Sequence, residues 1–71
     1  MLLLTQDGNL VNLERMVTID TASLNVYVRQ GMNERGIILG SYNTESRCYD
    51  VIANILDCYR KNEKVYIMPN E

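Results

Sequence analysis

Residues 44–61, TESRCYDVIANILDCYRK, contain the clearest periodic signal in this 71-residue chain and predict an amphipathic α-helix. Apolar side chains recur at i, i+3, i+4, i+7, i+8 and i+11, which is the spacing of one helical face; they are Cys48, Val51, Ile52, Ile55, Leu56 and Tyr59. Asn43 or Thr44 can cap the start of the helix, and Asn62 is a suitable stop. A helix with one apolar stripe must pack on something, and the available partner is a sheet face.

The remaining apolar patterns predict short strands, because they alternate between apolar and polar side chains or are rich in β-branched residues. The predicted strands are residues 2–5, 15–21, 24–30, 37–42 and 64–68, while residues 10–13 form either a strand or a loop. Asp7-Gly8 predicts a two-residue hairpin turn, Ala22-Ser23 another turn and residues 31–36 a loop. Gly40 predicts either a bulge or a close approach of the backbone. We therefore expect one α+β domain over residues 1–71: an antiparallel sheet of about four to five strands on one helix, in the order β-β-β-β-α-β.

The composition disfavours several classes of protein. The apolar fraction is 46%, which is ordinary for a folded domain. Seven basic and nine acidic residues give a net charge of −2, so nucleic-acid binding through clustered positive charge is disfavoured. The apolar run at residues 1–4 is too short for a signal peptide or a membrane span. We expect a cytoplasmic protein without membrane contact.

Few residues could carry chemistry. His is absent, which excludes triads of the Ser-His-Asp kind, and no C-x-x-C spacing indicates a zinc site. Cys48 and Cys58 are ten residues apart on the predicted helix, about 15 Å along its axis, which is too far for a disulfide within one molecule. We predict two free thiols, with Cys48 in the core, no metal, no cofactor and no enzymatic activity.

Five residues are candidates for a binding surface, since Tyr and Arg are enriched where proteins contact partners. Tyr27 and Arg29 lie on the polar side of the strand predicted over residues 24–30. Tyr42 closes the strand before the helix, Arg47 lies in the first helical turn, and Tyr49 follows two residues later. The alternative is that Arg47 is solvated and the tyrosines cover the edges of the core.

The junction between strand and helix reads ILGSYNTESR over residues 38–47, and the chain later reads VYIMP over residues 65–69. This resembles small accessory proteins encoded by phages and prophages of Gram-positive bacteria, which carry a leucine-glycine-x-tyrosine-x-threonine junction, a helix and a short terminal strand. Cys48 and Tyr49 depart from the resemblance, because those proteins often have small or charged residues there. The motif is structural, so no functional residue carries over from it.

What the resemblance implies is a protein that acts by binding, because phage accessory proteins commonly inhibit a host protein such as a component of anti-phage or CRISPR defence. The short strands and small core favour a homo-oligomer, most simply a dimer, in which a second copy covers a sheet edge or an apolar surface. Two alternatives stay open. One is a protein that sequesters a small-molecule nucleotide signal, and the other is a nucleic-acid-binding regulator.

Overall fold

The computed structural model describes residues 1–15, 18–30 and 36–71, and within them the chain forms six strands, one α-helix and one short 3-10 helix. The strands in chain order are β1 (Leu2–Leu4), β2 (Leu10–Asn12), β3 (Thr18–Ala22), β4 (Asn25–Arg29), β5 (Ile37–Ser41) and β6 (Val65–Ile67). The helix α1 (Glu45–Arg60) lies between β5 and β6, and the 3-10 helix is Leu13–Arg15. The predicted α+β class is confirmed.

The prediction of a single sheet with four to five strands is wrong. The strands form two three-stranded sheets: sheet A, in the order β2-β1-β6, and sheet B, in the order β3-β4-β5. Among the described residues, five strands precede the helix instead of four. The physical reason is the position of β6, which pairs with β1 as a parallel neighbour with Leu3 opposite Tyr66. This pairing joins the two ends of the described chain, and no local sequence pattern encodes it.

The hairpin predicted at Asp7-Gly8 is present between β1 and β2, but its loop spans residues 5–9 rather than two residues. Gly8 has φ of +88°, a conformation that suits glycine. The Thr5 amide donates to the Asn9 carbonyl at 2.8 Å, and the Thr5 hydroxyl oxygen accepts from the Asn9 amide at 3.0 Å. These bonds close the loop and satisfy the buried Thr5 side chain.

Sheet B is an antiparallel meander whose first turn lies one residue later than predicted. Ser23 and Leu24 form it, with φ of +51° and +66°. Two consecutive positive φ values are typical of the turns that match the twist of a hairpin. Leu24 is therefore 43% exposed in a turn, instead of lying on the buried strand face that its alternation with Val26 and Val28 predicted.

The predicted bulge in β5 is present. Val26 of β4 pairs with Gly40, whereas Tyr27 pairs with Ile38, so Leu39 is the extra residue. Leu39 turns inward and is 1% exposed. The start of the strand predicted over residues 15–21 and most of the loop predicted over residues 31–36 fall on positions 16–17 and 31–35, outside the described residues.

The helix has the predicted boundaries, because both of its ends are capped by side chain or backbone. The Thr44 hydroxyl accepts a hydrogen bond from the Arg47 amide at 3.1 Å. At the other end Asn62 has φ of +58°, and the Glu63 amide donates to the Cys58 carbonyl at 3.1 Å. This is the Schellman arrangement with Asn in the left-handed position. At 16 residues with several charged side chains, α1 is not long and apolar enough to cross a membrane.

The hydrophobic core lies between α1 and the inner faces of both sheets. Its buried members are Leu3, Val11, Val26, Val28, Leu39, Tyr42, Cys48, Val51, Ile55 and Met68. The predicted stripe on α1 is covered only in part: Leu56 is 50% exposed and Tyr59 65% exposed. The helix packs mainly against β3 and β4, so the far end of its stripe passes beyond the sheet that covers it.

Candidate functional site

The outer face of sheet B carries the first pair of predicted binding residues. The register of β3, β4 and β5 places Tyr27 between Asp20 on one side and Ile38 on the other. Arg29 follows Tyr27 on the same face, opposite Thr18. Val26 and Val28 point into the core, which confirms the predicted alternation for Val26 to Arg29 but not for Leu24, which lies in the preceding turn.

Arg29 and Tyr27 form a defined pair on this face. The guanidinium carbon of Arg29 lies 4.9 Å from the centre of the Tyr27 ring, which is the geometry of a cation–π contact. One guanidinium nitrogen, Nη2, also donates a hydrogen bond to the Tyr27 hydroxyl at 2.9 Å. Two contacts therefore hold a long, flexible side chain in one orientation while it remains exposed to solvent.

Gly36 explains how the Tyr27 ring is positioned. A Cβ atom at residue 36 would lie 2.6 Å from Cδ2 of Tyr27 and 3.2 Å from the Val28 carbonyl oxygen. Real Cβ atoms do not approach other atoms as closely as the first of these distances. The ring therefore lies against the bare backbone of Gly36, and any larger residue there would displace it.

The second pair of predicted residues, Tyr42 and Arg47, binds backbone oxygens of the residues that follow β6. The Tyr42 hydroxyl donates to the Pro69 carbonyl at 2.8 Å, and Arg47 donates twice to the Glu71 carbonyl, at 3.1 Å and 2.8 Å. The Arg47 guanidinium carbon lies 5.8 Å from the Tyr42 ring centre. Tyr42 is only 6% exposed, so the alternative that it covers a core edge is the one that the structure favours.

Burial raises the pKa of the Tyr42 phenol above its ordinary value near 10, and the nearby Tyr66 raises it further. The Arg47 guanidinium and a hydrogen bond with Gln6 act in the opposite direction but are weaker causes. A phenol with a raised pKa keeps its proton. Tyr42 therefore remains a hydrogen-bond donor to Pro69 throughout the physiological pH range.

Gln6 ties sheet A, sheet B and the residues after β6 together, and the sequence alone did not identify it. Its amide oxygen accepts from the Ser41 amide at 2.7 Å, and its amide nitrogen donates to the Pro69 carbonyl at 2.9 Å. A Cβ atom at Gly40 would lie 3.0 Å from Cδ of Gln6 and 2.9 Å from the Tyr42 hydroxyl. The residues of the junction motif thus have structural roles in this chain.

No protein-family model, curated protein or solved structure matches this chain. The junction motif on which the resemblance rests is explained by Leu39 in the core, the close approach at Gly40, the Tyr42 bond to Pro69 and the Thr44 cap.

The fifth predicted residue, Tyr49, lies on α1 and is 56% exposed. Its neighbour Cys48 is fully buried in the core as predicted, and Cys58 is partly buried; both are free thiols. Among the described residues, no three His, Cys, Asp or Glu side chains come together in a way that could hold a metal ion.

A shallow groove of about 630 Å³ runs between α1 and β3. Its described lining is mostly apolar, including Leu13, Ile19, Ile52 and Leu56. Its one described charged side chain, Glu14, lies 3.6 Å from the amino group of Met1, which also lines the groove. Ligand pockets of this size are common, but the described lining contains no basic side chain that could bind a phosphate group. The described part of the groove therefore gives no support to a nucleotide site.

A further surface feature that the sequence did not identify is the outer face of sheet A. The strand register places five aliphatic side chains on this face: Leu2, Leu4, Leu10, Val65 and Ile67. The signal for it was present in the run Leu2-Leu3-Leu4, which does not alternate. Consecutive apolar residues are typical of strands that are covered on both faces.

Proposed function

We propose that this chain is a non-enzymatic binding protein that contacts a host protein through the outer face of sheet B. The observation that carries the proposal is the Arg29–Tyr27 pair, in which an exposed guanidinium is already held over an aromatic ring. Arg and Tyr are the residue types that dominate binding energy at protein interfaces. Because the pair is ordered before a partner arrives, binding loses less side-chain entropy.

The neighbours of the pair support a protein partner over a nucleic acid. Ile38 lies beside Tyr27 and is 52% exposed, which provides an apolar contact next to the ring. Asp20 lies on the other side of Tyr27, where its carboxylate would repel a phosphate backbone. A partner that fits has a carboxylate for Arg29 and an apolar ridge for Tyr27 and Ile38.

The resemblance of the strand-to-helix junction to phage accessory proteins supports a bacterial host as the setting. Within that setting, a component of anti-phage or CRISPR defence is the proposed target, and the host cytoplasm is the proposed location. Burial supports binding over cysteine catalysis, since the Cys48 thiol is fully covered by the core.

The test begins with capture of a partner from a bacterial host lysate by the tagged chain, followed by its identification and purification. The affinity of the purified partner is then measured by calorimetry for the wild type, Arg29→Ala and Tyr27→Ala. The matched control is Arg60→Ala, which removes an exposed arginine from α1. We expect each sheet B variant to weaken binding about 30-fold or more, and the control to change it less than about threefold.

Two outcomes would contradict the proposal. One is a partner that binds all four proteins equally, because the contact would then lie elsewhere. The other is a nucleotide that co-purifies with the chain in equal amount and is seen as added mass in native mass spectrometry. That result would favour the alternative of a protein that sequesters a nucleotide signal.

A further inference from the structure

We infer that the outer face of sheet A is an interface with a second copy of this chain, in which the two sheets stack face to face about a two-fold axis. This surface is separate from the outer face of sheet B, to which the proposed function is assigned. The inference goes beyond the proposed function and does not depend on it.

The first support is that every strand of sheet A has aliphatic or aromatic side chains on both faces. In β2, Val11 points into the core and is 7% exposed, whereas Leu10 points out and is 65% exposed. In β6, Tyr66 is partly buried against the core, whereas Ile67 is 67% exposed. Sheets with one solvated face normally alternate between apolar and polar residues. Strand β4 of sheet B follows that rule, with Asn25, Tyr27 and Arg29 facing outward between the buried Val26 and Val28, whereas the three strands of sheet A do not.

The second support is the area of the exposed face. Its five aliphatic side chains together expose on the order of 400 Å² of apolar surface, which is within the range of the largest patches found on monomers, roughly 300–600 Å² and often functional. A specific interface buries about 800 Å² on each partner, of which about 60% is apolar. The face therefore supplies most of the apolar core that one side of a stable dimer requires, and the polar residues around it supply the rim.

The absence of charge on the strands supports a second copy of the chain as the occupant. The sequences of β1, β2 and β6 are LLL, LVN and VYI, with no ionisable group that is charged at neutral pH. In a two-fold dimer the same surface meets itself, so a charged group near the axis would face its own copy and repel it. An uncharged aliphatic face has no such penalty. Two such sheets can stack about 10 Å apart, as the layers of a β-sandwich do.

The test compares the wild type with the double variant Leu10→Lys/Ile67→Lys by light scattering after size exclusion and by sedimentation equilibrium. Both side chains are largely exposed in the single chain, so the charges should leave the fold intact. The matched control is Ile38→Lys/Leu56→Lys, two aliphatic residues that are 52% and 50% exposed and lie outside sheet A. We expect twice the 8.2 kDa chain mass for the wild type and the control. For the sheet A variant we expect the monomer mass, with the dissociation constant raised about 100-fold or more.

A wild type that stays monomeric at protein concentrations up to about 1 mM would overturn the inference. The dissociation constant of any dimer would then be weaker than about 1 mM, which is too weak for a specific interface. A sheet A variant that is still dimeric would overturn it as well. If the variant does not fold, as judged by circular dichroism, isotope-filtered NOEs on a mixed labelled wild-type sample decide the matter. NOEs between methyl groups of Leu10 and Ile67 on different copies would support the interface, and intermolecular NOEs elsewhere or none would overturn it.

The dimer and the proposed function can fail separately. Arg29→Ala should leave the dimer intact, because Arg29 lies on sheet B. The variant Leu10→Lys/Ile67→Lys should be monomeric, and each monomer should keep the Arg29–Tyr27 pair. Measuring both variants for partner binding and for mass therefore shows which of the two surfaces has been misassigned.

Discussion

Sheet A and sheet B have the same number of strands and share one core, yet their outer faces differ in polarity. Sheet B exposes Asp20, Tyr27 and Arg29 together with the aliphatic Ile38. Sheet A exposes only aliphatic side chains and Asn12. Since both inner faces pack on the same core, stability of the single chain does not explain the difference. The difference is the one that the two proposals require: a polar contact surface on sheet B and an apolar interface with a second copy of the chain on sheet A.

The largest expected effect comes from comparing the two faces of sheet A. Leu3 is fully buried, so Leu3→Ala should lower the free energy of unfolding by about 2–5 kcal/mol through lost burial and a residual cavity. Leu10→Ala removes the same atoms from a side chain that is 65% exposed and should cost less than about 1 kcal/mol. Urea unfolding at low protein concentration checks both values. Equal costs would mean that the outer face of sheet A is already buried within the single chain.

An intermediate effect is expected at the link between the sheets. Gln6→Ala removes the side chain that bonds the Ser41 amide and the Pro69 carbonyl, so it should lower the free energy of unfolding by about 1–3 kcal/mol. Gln30→Ala, at an exposed position, is the control and should stay within about 0.5 kcal/mol of the wild type. In Gln6→Ala, backbone amide hydrogens of residues 65–70 should also exchange faster than in the wild type, and this increase in rate should be larger than in β4. Uniform quickening would show that Gln6 does not act as a local link.

The smallest effect concerns pH. The pKa of Tyr42 is raised in the folded chain, so folding favours its protonated form. The stabilisation is therefore complete below the ordinary tyrosine pKa near 10 and is lost as pH rises through and beyond that value. Tyr42→Phe should cost about 0.5–1.5 kcal/mol at neutral pH, because the bond to Pro69 is lost. Its stability should then fall less steeply than that of the wild type above pH 10.

Urea titrations at pH 8, 10 and 11 provide the measurement for this prediction. Some alkaline loss should remain in the variant, because burial also raises the pKa of Tyr66. Identical slopes for the wild type and Tyr42→Phe would mean that the Tyr42 phenol is not protected by the fold. That result would also remove the argument that it is a permanent donor to Pro69.

Local signals predicted most of the elements correctly. The spacing from Cys48 to Ile55, the cap at Thr44 and the stop at Asn62 fix the helix, since each acts within a few residues. The hairpin at Gly8 and the bulge in β5 follow from glycine in the same way. The separation into two sheets could not be predicted, because it depends on β6 pairing with β1 across the whole described chain.

The candidate site was predictable only in part, for a related reason. Tyr27 and Arg29 share one strand, so alternation alone placed them on one face. Asp20, Ile38 and Gly36 complete that surface from other segments, and only the register reveals them. Tyr42 looked like a surface residue because it ends a strand, but the returning chain after β6 covers it.

The parallel pairing of β1 with β6 also has a consequence for synthesis of the protein. Sheet B, β1, β2 and the helix all leave the ribosome before β6 does, so the nascent chain carries β1 with one edge open and Leu3 without its neighbour Tyr66. Non-local pairings of this kind form late, and unpaired strand edges invite aggregation. The chain should therefore reach its native state only after residues 65–67 have left the ribosome and paired with β1.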